Sequence, residues 1–406
     1  MHVKRSAVDH ALLRSLLPLL PAALGLFAAA GCDDAPGRPP SEGEPRPFLM
    51  GMTPFPAEPT PESLVASMNY VAGHADVVLH HHDGGIPWSE LMNDRPLPAD
   101  LLGEIEYRAA ASRLAGLEVF VAATPLNRGR NGLAPEWRTE LPPPGFEGPV
   151  FGEPSIQEAY EEWCLFLAES YLPDYFAVVI EANMYQDYLE SNGLESDWPH
   201  LLDLYQRIYT RIKQRIGDIP VFLTFQLEFL RGDLTWDFQP QWDLLGAFRA
   251  GLETDFLALS TYPSVAGTSA SSYGPSYLID GANRAREFID SPVLVSETGF
   301  PSRTVEAGGM IYVASEDDQR SYLASLLAAA EDVPLALVTW FFPFDFPEIL
   351  RAAEEYLPPE DVEALRLFVP MGFHDESGFP KLASDLWDAT LIRPAGAAAA
   401  PAGAQR

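Results

Sequence analysis

The 406-residue chain is short of cysteine and of basic side chains, and no glycine-rich phosphate loop follows any of its strand-like runs. Each shortage removes a class of function. There are two cysteines, Cys32 and Cys164. With Cys32 set apart in the N-terminal segment, Cys164 has no partner for an internal disulfide, and no cysteine cluster exists to hold a metal. Cys164 lies in the helical pattern EEWCLFLAES and reads as a small core residue. Lysine and arginine number 26 against 58 acidic residues, a formal charge of −32, and the basic residues form no stripe. That balance argues against a nucleic-acid surface and against electrostatic docking on anionic lipid. Without a Gly-rich loop, an open nucleotide-binding sheet has no phosphate cradle. Long apolar runs are also missing. The N-terminal one is short and holds two prolines, so no mature transmembrane helix is expected.

The N-terminal segment MHVKRSAVDHALLRSLLPLLPAALGLFAAAGC has a basic start, an apolar centre and small residues before Cys32, the pattern of an export signal. Its end, Ala29-Ala30-Gly31-Cys32, resembles a bacterial lipobox with Ala29 where Leu is usual. The resemblance implies lipidation of Cys32, a membrane partner through that N-terminal anchor, and a place in the bacterial cell envelope. Residues 1–31 are therefore expected to be a lipoprotein signal peptide. The Pro, Gly and charge mixture that follows has nothing to bury and gives a flexible tether over 32–46. Residues 47–392 form one expected domain, and the low-complexity stretch 393–406 a disordered tail.

Eight strand-like runs begin at Phe48, Asp76, Leu117, Tyr175, Pro220, Asp255, Pro292 and Leu335. They are near-continuously apolar, as parallel strands covered on both faces must be. Helical patterns lie between them. Thr60 and Pro61 begin one, Ser155 and Glu158 have capping-box spacing in a second, and LLDLYQRIYTRIKQRIG carries an apolar stripe ending at Gly217. Eight alternations predict an α/β fold, a closed (β/α)8 TIM barrel, with its chemistry at the C-terminal mouths of the strands. Long loops after the third, fourth and sixth strands hold Trp137, Trp198, Tyr273 and Tyr277, which either wall a cleft or pack the loops themselves.

Two carboxylates stand at these mouths. Glu297 ends the seventh run, VLVSETGFPS, and Glu181 sits in the fourth, VVIEANMY. Strands four and seven lie across a barrel from one another, so the pair can face one sugar from two sides. Retaining glycoside hydrolysis needs such a pair roughly 5 Å apart, one group attacking while the other protonates the leaving oxygen.

VLVSETGFPS resembles the nucleophile strand of glycoside hydrolase family 17, the β-1,3-glucanases, with Phe300 where that family usually has Trp. FLALSTYPS resembles the sixth strand of family 53, the endo-β-1,4-galactanases, in which a tyrosine contacts the nucleophile; Tyr262 matches it. MGFHDESGFPKLASDLW is similar to the closing segment of many barrels of the same clan, clan A, and Trp340 matches its sugar-stacking tryptophan. The resemblance implies Glu297 as nucleophile, Tyr262 orienting it, Asn183 holding a sugar hydroxyl and Trp340 stacking on a sugar face. It implies a carbohydrate substrate and no cofactor.

The fourth strand departs from the clan, which carries Asn followed immediately by the acid Glu. Here the order is Glu181-Ala182-Asn183-Met184, so either Met184 occupies the acid position or Glu181 acts from two residues earlier, on the same strand face as Asn183. Glu228, Asp83 and Asp187 are substitutes for the acid. The run His80-His81-His82-Asp83 places His80 and His82 on one face. Further ligands at strand ends are lacking, so no metal site is expected; one histidine of the run, taken as His82, lines the cleft, and Asp83 turns the chain at its rim. Gln226, Asn127 and Arg128 are similarly placed polar groups. If the acid has been lost, the alternative is a glycan-binding lipoprotein on the same barrel.

Overall fold

The computed structural model describes residues 43–396 except 140, 235–238, 267–272 and 334. The expected signal peptide, Cys32 and most of the tether lie outside the described residues, as do residues 397–406 of the expected tail. All eight strand-like runs form strands: β1 Leu49–Met52, β2 Val77–His82, β3 Glu118–Ala123, β4 Tyr175–Val179, β5 Val221–Gln226, β6 Leu257–Thr261, β7 Val293–Thr298 and, after a hairpin of β8 Val305–Ala307 and β9 Met310–Tyr312, β10 Leu335–Trp340. The eight runs pair in parallel and close into a barrel, with β10 between β7 and β1. The expected (β/α)8 barrel is the fold.

Two apolar layers hold it together. Val77, Leu79, Phe120, Tyr175, Phe222 and Leu294 pack inside the barrel. Their strand neighbours, such as Val78, Val121, Phe176 and Val295, pack outward against the helices. Both faces are buried, which is why the strands read as continuous apolar runs rather than alternating ones.

The helices follow their sequence signals with two exceptions. Thr60 caps the helix Pro61–His74, its side chain accepting from the Ser63 N–H at 3.2 Å. The helix Pro154–Tyr171 instead starts at Pro154, so Ser155 lies inside it and the expected capping box is not formed. Among the described residues the β5–β6 crossover has short helical turns, Leu227–Arg231, Trp242–Leu245 and Gly246–Arg249, where a full helix was expected.

Polar devices fix both rims. Asp76, Asp174 and Asp255 stand just before β2, β4 and β6, and each accepts a backbone N–H from the preceding strand: Met50 at 2.8 Å, Val119 at 2.9 Å and Val221 at 2.7 Å. Arg46 is fully buried and pairs with Asp76 at 2.7 Å, while its Nε donates to the Arg393 carbonyl at 3.0 Å. The body therefore begins at or before Arg46, assigned by sequence to the tether, and takes in Arg393 and Pro394, assigned to the tail; Arg46 N–H donates to the Pro394 carbonyl. At the opposite rim the closing segment is a clamp. Lys381 Nζ is buried on Asp345 Oδ1 at 2.5 Å and Ser302 Oγ at 2.8 Å. Gly372 crosses so close to the Phe344 carbonyl carbon that a Cβ there would sit 2.2 Å from it, so only glycine fits.

Candidate active site

Glu297 reaches the barrel mouth because its strand breaks alternation, and Glu181 because the chain turns sharply at the end of its own. In β7, Leu294 faces the interior and Val295 the helices, so strict period two would send Glu297 outward. The register shows an extra residue. Leu259 faces Val295 but Ser260 faces Glu297, and on the other side Val338 faces Val295 but Trp340 faces Thr298. This bulge turns Glu297 into the mouth. β4 also carries an extra residue, Ala177 facing Phe222 yet Val179 facing Leu223, but with the opposite effect. Ile180 packs inside, where alternation from Tyr175 and Ala177 would have pointed Glu181 inward, and it is the turn after Ile180 that brings Glu181 to the mouth. Glu181 follows in the left-handed region, φ 52° and ψ 46°, a strained conformation for a residue with a Cβ. Its N–H donates to Thr224 Oγ1 at 2.8 Å, holding the turn.

Around Glu297, the Tyr262 hydroxyl donates to Oε2 at 3.2 Å and His81 Nε2 lies 3.2 Å from Oε1. His81 Nδ1 in turn lies 3.3 Å from Asp83 Oδ2, making a carboxylate–imidazole–carboxylate line. Burial alone would lower the His81 pKa, but Glu297 and Asp83 on its two sides outweigh it and raise the pKa to about 10. Burial would raise Asp83; His81, Arg130 and Arg128 hold it well below the usual carboxylate range. Phe341 packs edge-on to His81, ring centroids 5.0 Å apart.

Glu181 has a different setting. Its Oε1 accepts from Ser260 Oγ at 2.8 Å and its Oε2 faces Arg130 Nε at 3.3 Å. Its pKa is raised: burial is the largest cause, the nearby Glu297 charge adds to it, and Arg130 and Ser260 oppose it. Both acids keep a small opening to solvent, with side-chain exposures of 14% for Glu181 and 8% for Glu297. One carboxyl biased toward its protonated form beside another held by an imidazolium and a phenol is the division of labour that acid and nucleophile require.

Other residues singled out by sequence stand elsewhere. His82 does not line the cleft. It and His80 face the helix layer, His82 Nε2 on the Tyr171 hydroxyl at 3.1 Å and His80 Nε2 on Ser112 Oγ at 2.7 Å. His81 is the inward member, because Val77 and Leu79 set the interior parity of β2. Trp340 faces outward for the same reason: it is fully buried, stacked on Phe373 at 4.7 Å, with its indole N–H on the Met371 carbonyl. It presents no face to a sugar, and Phe341, the next residue, is the aromatic at that mouth. Asn183 is not on a strand face, since the chain turns into the helix Ala182–Asn192. Fully buried, it exchanges two bonds with the Gln226 backbone, at 3.0 and 2.8 Å, and so holds no sugar hydroxyl.

Gln226 is likewise internal: its side chain donates to Glu228 at 2.6 Å and accepts from the Phe229 N–H. Glu228 is fully buried and accepts from four donors, so it has no path to a leaving group; burial raises its pKa to about 7. Asp187 is held by Gln241 at 2.9 Å. Asp83 lies at the rim as expected, 37% exposed. Trp137, Trp198 and Tyr277 pack against the main core and Tyr273 belongs to it, so these loop aromatics pack their own loops. Arg130, Ser260 and His81 were not singled out by sequence. Among the described residues no group of three or more His, Cys, Asp or Glu is placed to hold a metal, and no helix is long and apolar enough to cross a membrane.

No protein-family model matches the sequence, and no curated protein matches it. Solved structures do. An exo-β-1,4-mannosidase from an Opitutaceae bacterium, strain TAV5, superimposes with a TM-score of 0.61 at 17% identity; the alignment covers 85% of this chain and 59% of that one. A GH5_18 protein from Bifidobacterium longum subsp. infantis gives 0.61 at 16% identity, covering 87% and 81%. A GH1 β-glucosidase from Exiguobacterium antarcticum B7 gives 0.55 at 12%, covering 85% and 97%. What the chain shares with these glycoside hydrolases, at such identities, is the (β/α)8 barrel.

Proposed function

We propose that the protein is a glycoside hydrolase of the clan A kind that cleaves a β-linked oligosaccharide or polysaccharide by a retaining, two-carboxylate mechanism. The observation that carries the reading is the pair Glu181 and Glu297 at one barrel mouth, Glu297 turned in by an extra residue in its strand and Glu181 by a left-handed turn after its own, with unlike surroundings. Glu297, kept in place by Tyr262 and His81, attacks the anomeric carbon while Glu181 gives its proton to the leaving oxygen. The product is a glycosyl ester on Glu297. Glu181, now a carboxylate beside Arg130, takes a proton from water, which opens the ester and restores both groups. The similar solved structures named as an exo-β-1,4-mannosidase and a β-glucosidase support a β-linked substrate. The test is turnover of a panel of aryl and oligomeric β-mannosides, β-glucosides and β-galactosides beside Glu297→Gln and Glu181→Gln. Both variants are expected to lose turnover; an active Glu297→Gln would end the reading.

A second reading has two specific supports. Arg130 lies 3.3 Å from Glu181 and favours its ionised form, and Met184 occupies the position next to Asn183 where the clan has its acid. A barrel with a disabled acid would bind glycan without turnover. Binding by a wild type that hydrolyses nothing in the panel would select this reading.

We also propose that the body is exported and lipid-anchored through Cys32 in a bacterial envelope. The lipobox-like Ala29-Ala30-Gly31-Cys32 supports this. Incorporation of labelled fatty acid by the full chain, lost in Cys32→Ala, is the expected result, and a soluble unlabelled protein would refute it.

A further inference from the structure

We propose that Glu228 is the positioning residue that couples the two mouth carboxylates; this rests on the glycosidase reading of the same site. Glu228 is fully buried, and each of its oxygens has two donors. Oε1 accepts from Thr261 Oγ1 at 2.6 Å and from the Tyr277 hydroxyl at 3.3 Å. Oε2 accepts from Gln226 Nε2 at 2.6 Å and from the Tyr262 N–H at 3.2 Å. A carboxylate with all its acceptor sites used and no room to move is a fixed point.

Two arms run from it. The first passes through Tyr262: Glu228 holds its backbone N–H, and its hydroxyl reaches Glu297 Oε2 at 3.2 Å. The second passes through Gln226. Glu228 holds the Gln226 side chain, the Gln226 backbone exchanges two bonds with Asn183, and Asn183 is two residues beyond Glu181. Asn183 thereby pins the first turn of the helix that starts directly after the strained Glu181. Among its described residues the β5–β6 crossover has no full helix to brace these strand ends, and the buried carboxylate supplies the brace.

Removing the carboxylate therefore misplaces both reacting groups without removing a sugar contact. Glu228→Ala is expected to lower kcat by about tenfold or more with KM within about threefold of wild type. Combined with Tyr262→Phe, the losses are expected to be less than additive, because one arm has already been cut. Glu228→Gln recovers most of the lost kcat: its carbonyl keeps Gln226 and Tyr262, and its amide donates to the Thr261 and Tyr277 hydroxyls. If Glu228→Ala does not fold, Thr261→Val, which removes one 2.6 Å bond and conserves shape, carries the same comparison with a smaller loss.

A second readout needs no turnover. In protein labelled with [13Cζ]tyrosine, the Tyr262 signal is identified by its disappearance in Tyr262→Phe. It is expected to shift in Glu228→Ala, or in Thr261→Val, in the direction produced by Glu297→Gln, since each weakens the Tyr262–Glu297 bond. An unmoved Tyr262 signal in Glu228→Ala overturns the proposal. So does a raised KM at wild-type kcat, or fully additive losses with Tyr262→Phe. If the wild type hydrolyses nothing in the panel, the glycosidase reading fails by itself, and the tyrosine signal still decides whether Glu228 holds the site.

Discussion

His81 carries the most exposed consequence of the site geometry. Its imidazole lies between Glu297 and Asp83, at 3.2 and 3.3 Å, and is only 12% exposed. Its pKa rises from an ordinary 6.5 to about 10, the two carboxylates outweighing burial. A group whose pKa is raised by folding stabilises fully below its unfolded pKa, and that stability is lost as pH rises through the folded value. The window therefore runs from about pH 6.5 to about pH 10. At about 1.4 kcal/mol per pH unit, the contribution falls by about 3 kcal/mol between about pH 7 and about pH 9.5. Glu118 and Glu228, each raised to about 7 mainly by burial, also favour the protonated form and lose stability as pH rises, but over a window ending near pH 7. In the window above it, the difference between wild type and His81→Asn separates the imidazole from groups common to both, such as Lys381, whose pKa burial lowers. Denaturant unfolding of wild type and His81→Asn at the two ends of this window is the assay. The wild type is expected to lose about 3 kcal/mol across it and the variant a small fraction of that. Equal slopes in the two proteins would refute the doubly paired imidazolium.

Three further outcomes follow from the same geometry. Tyr262→Phe removes a bond to the Glu297 carboxylate, and kcat is expected to fall about tenfold to a hundredfold, the kinetic equivalent of about 1.5–3 kcal/mol, as steady-state assays would measure. Arg130→Met removes the group that most favours ionised Glu181, so the Glu181 pKa rises further and the alkaline limb of the kcat/KM profile moves to higher pH; an unmoved limb would detach Arg130 from the acid. Arg46→Ala leaves Asp76 without its buried partner and unties the chain ends, with an expected loss of about 3 kcal/mol in denaturant unfolding.

The barrel was legible in the sequence because burial on both faces writes each strand as an apolar run. The same burial hid the orientation of individual side chains. In HHHD, the choice between His81 and His82 is a choice of parity, and continuous apolar flanks such as VVL do not reveal it. Trp340 was read at the mouth of β10, where Phe341 stands, for the same reason. Glu297 was located correctly at the mouth, although it gets there through a bulge that alternation does not foresee. Asn183 was read on a strand face because VVIEANMY has no helix-start residue at its break; the chain leaves β4 through Glu181 in a left-handed conformation that its side chain does not announce. Arg130 and Ser260 carry only ordinary loop and strand signals. They became visible through a contact separated from Glu181 by many residues, of a kind that local pattern does not encode. The buried role of Glu228 depends in the same way on four donors drawn from two strand ends and one helix.

The most direct test of the two-carboxylate account is to trap its intermediate. The protein would be incubated with 2-deoxy-2-fluoro-β-glycosides of the manno, gluco and galacto series bearing an activated leaving group, then digested and analysed by peptide mass. The account predicts one glycosyl adduct, on the peptide and at the carboxylate of Glu297, absent from Glu297→Gln and still formed slowly by Glu181→Gln, whose missing acid an activated leaving group does not need. Consumption of a probe with no adduct, or with the sugar attached to any other residue, would contradict it.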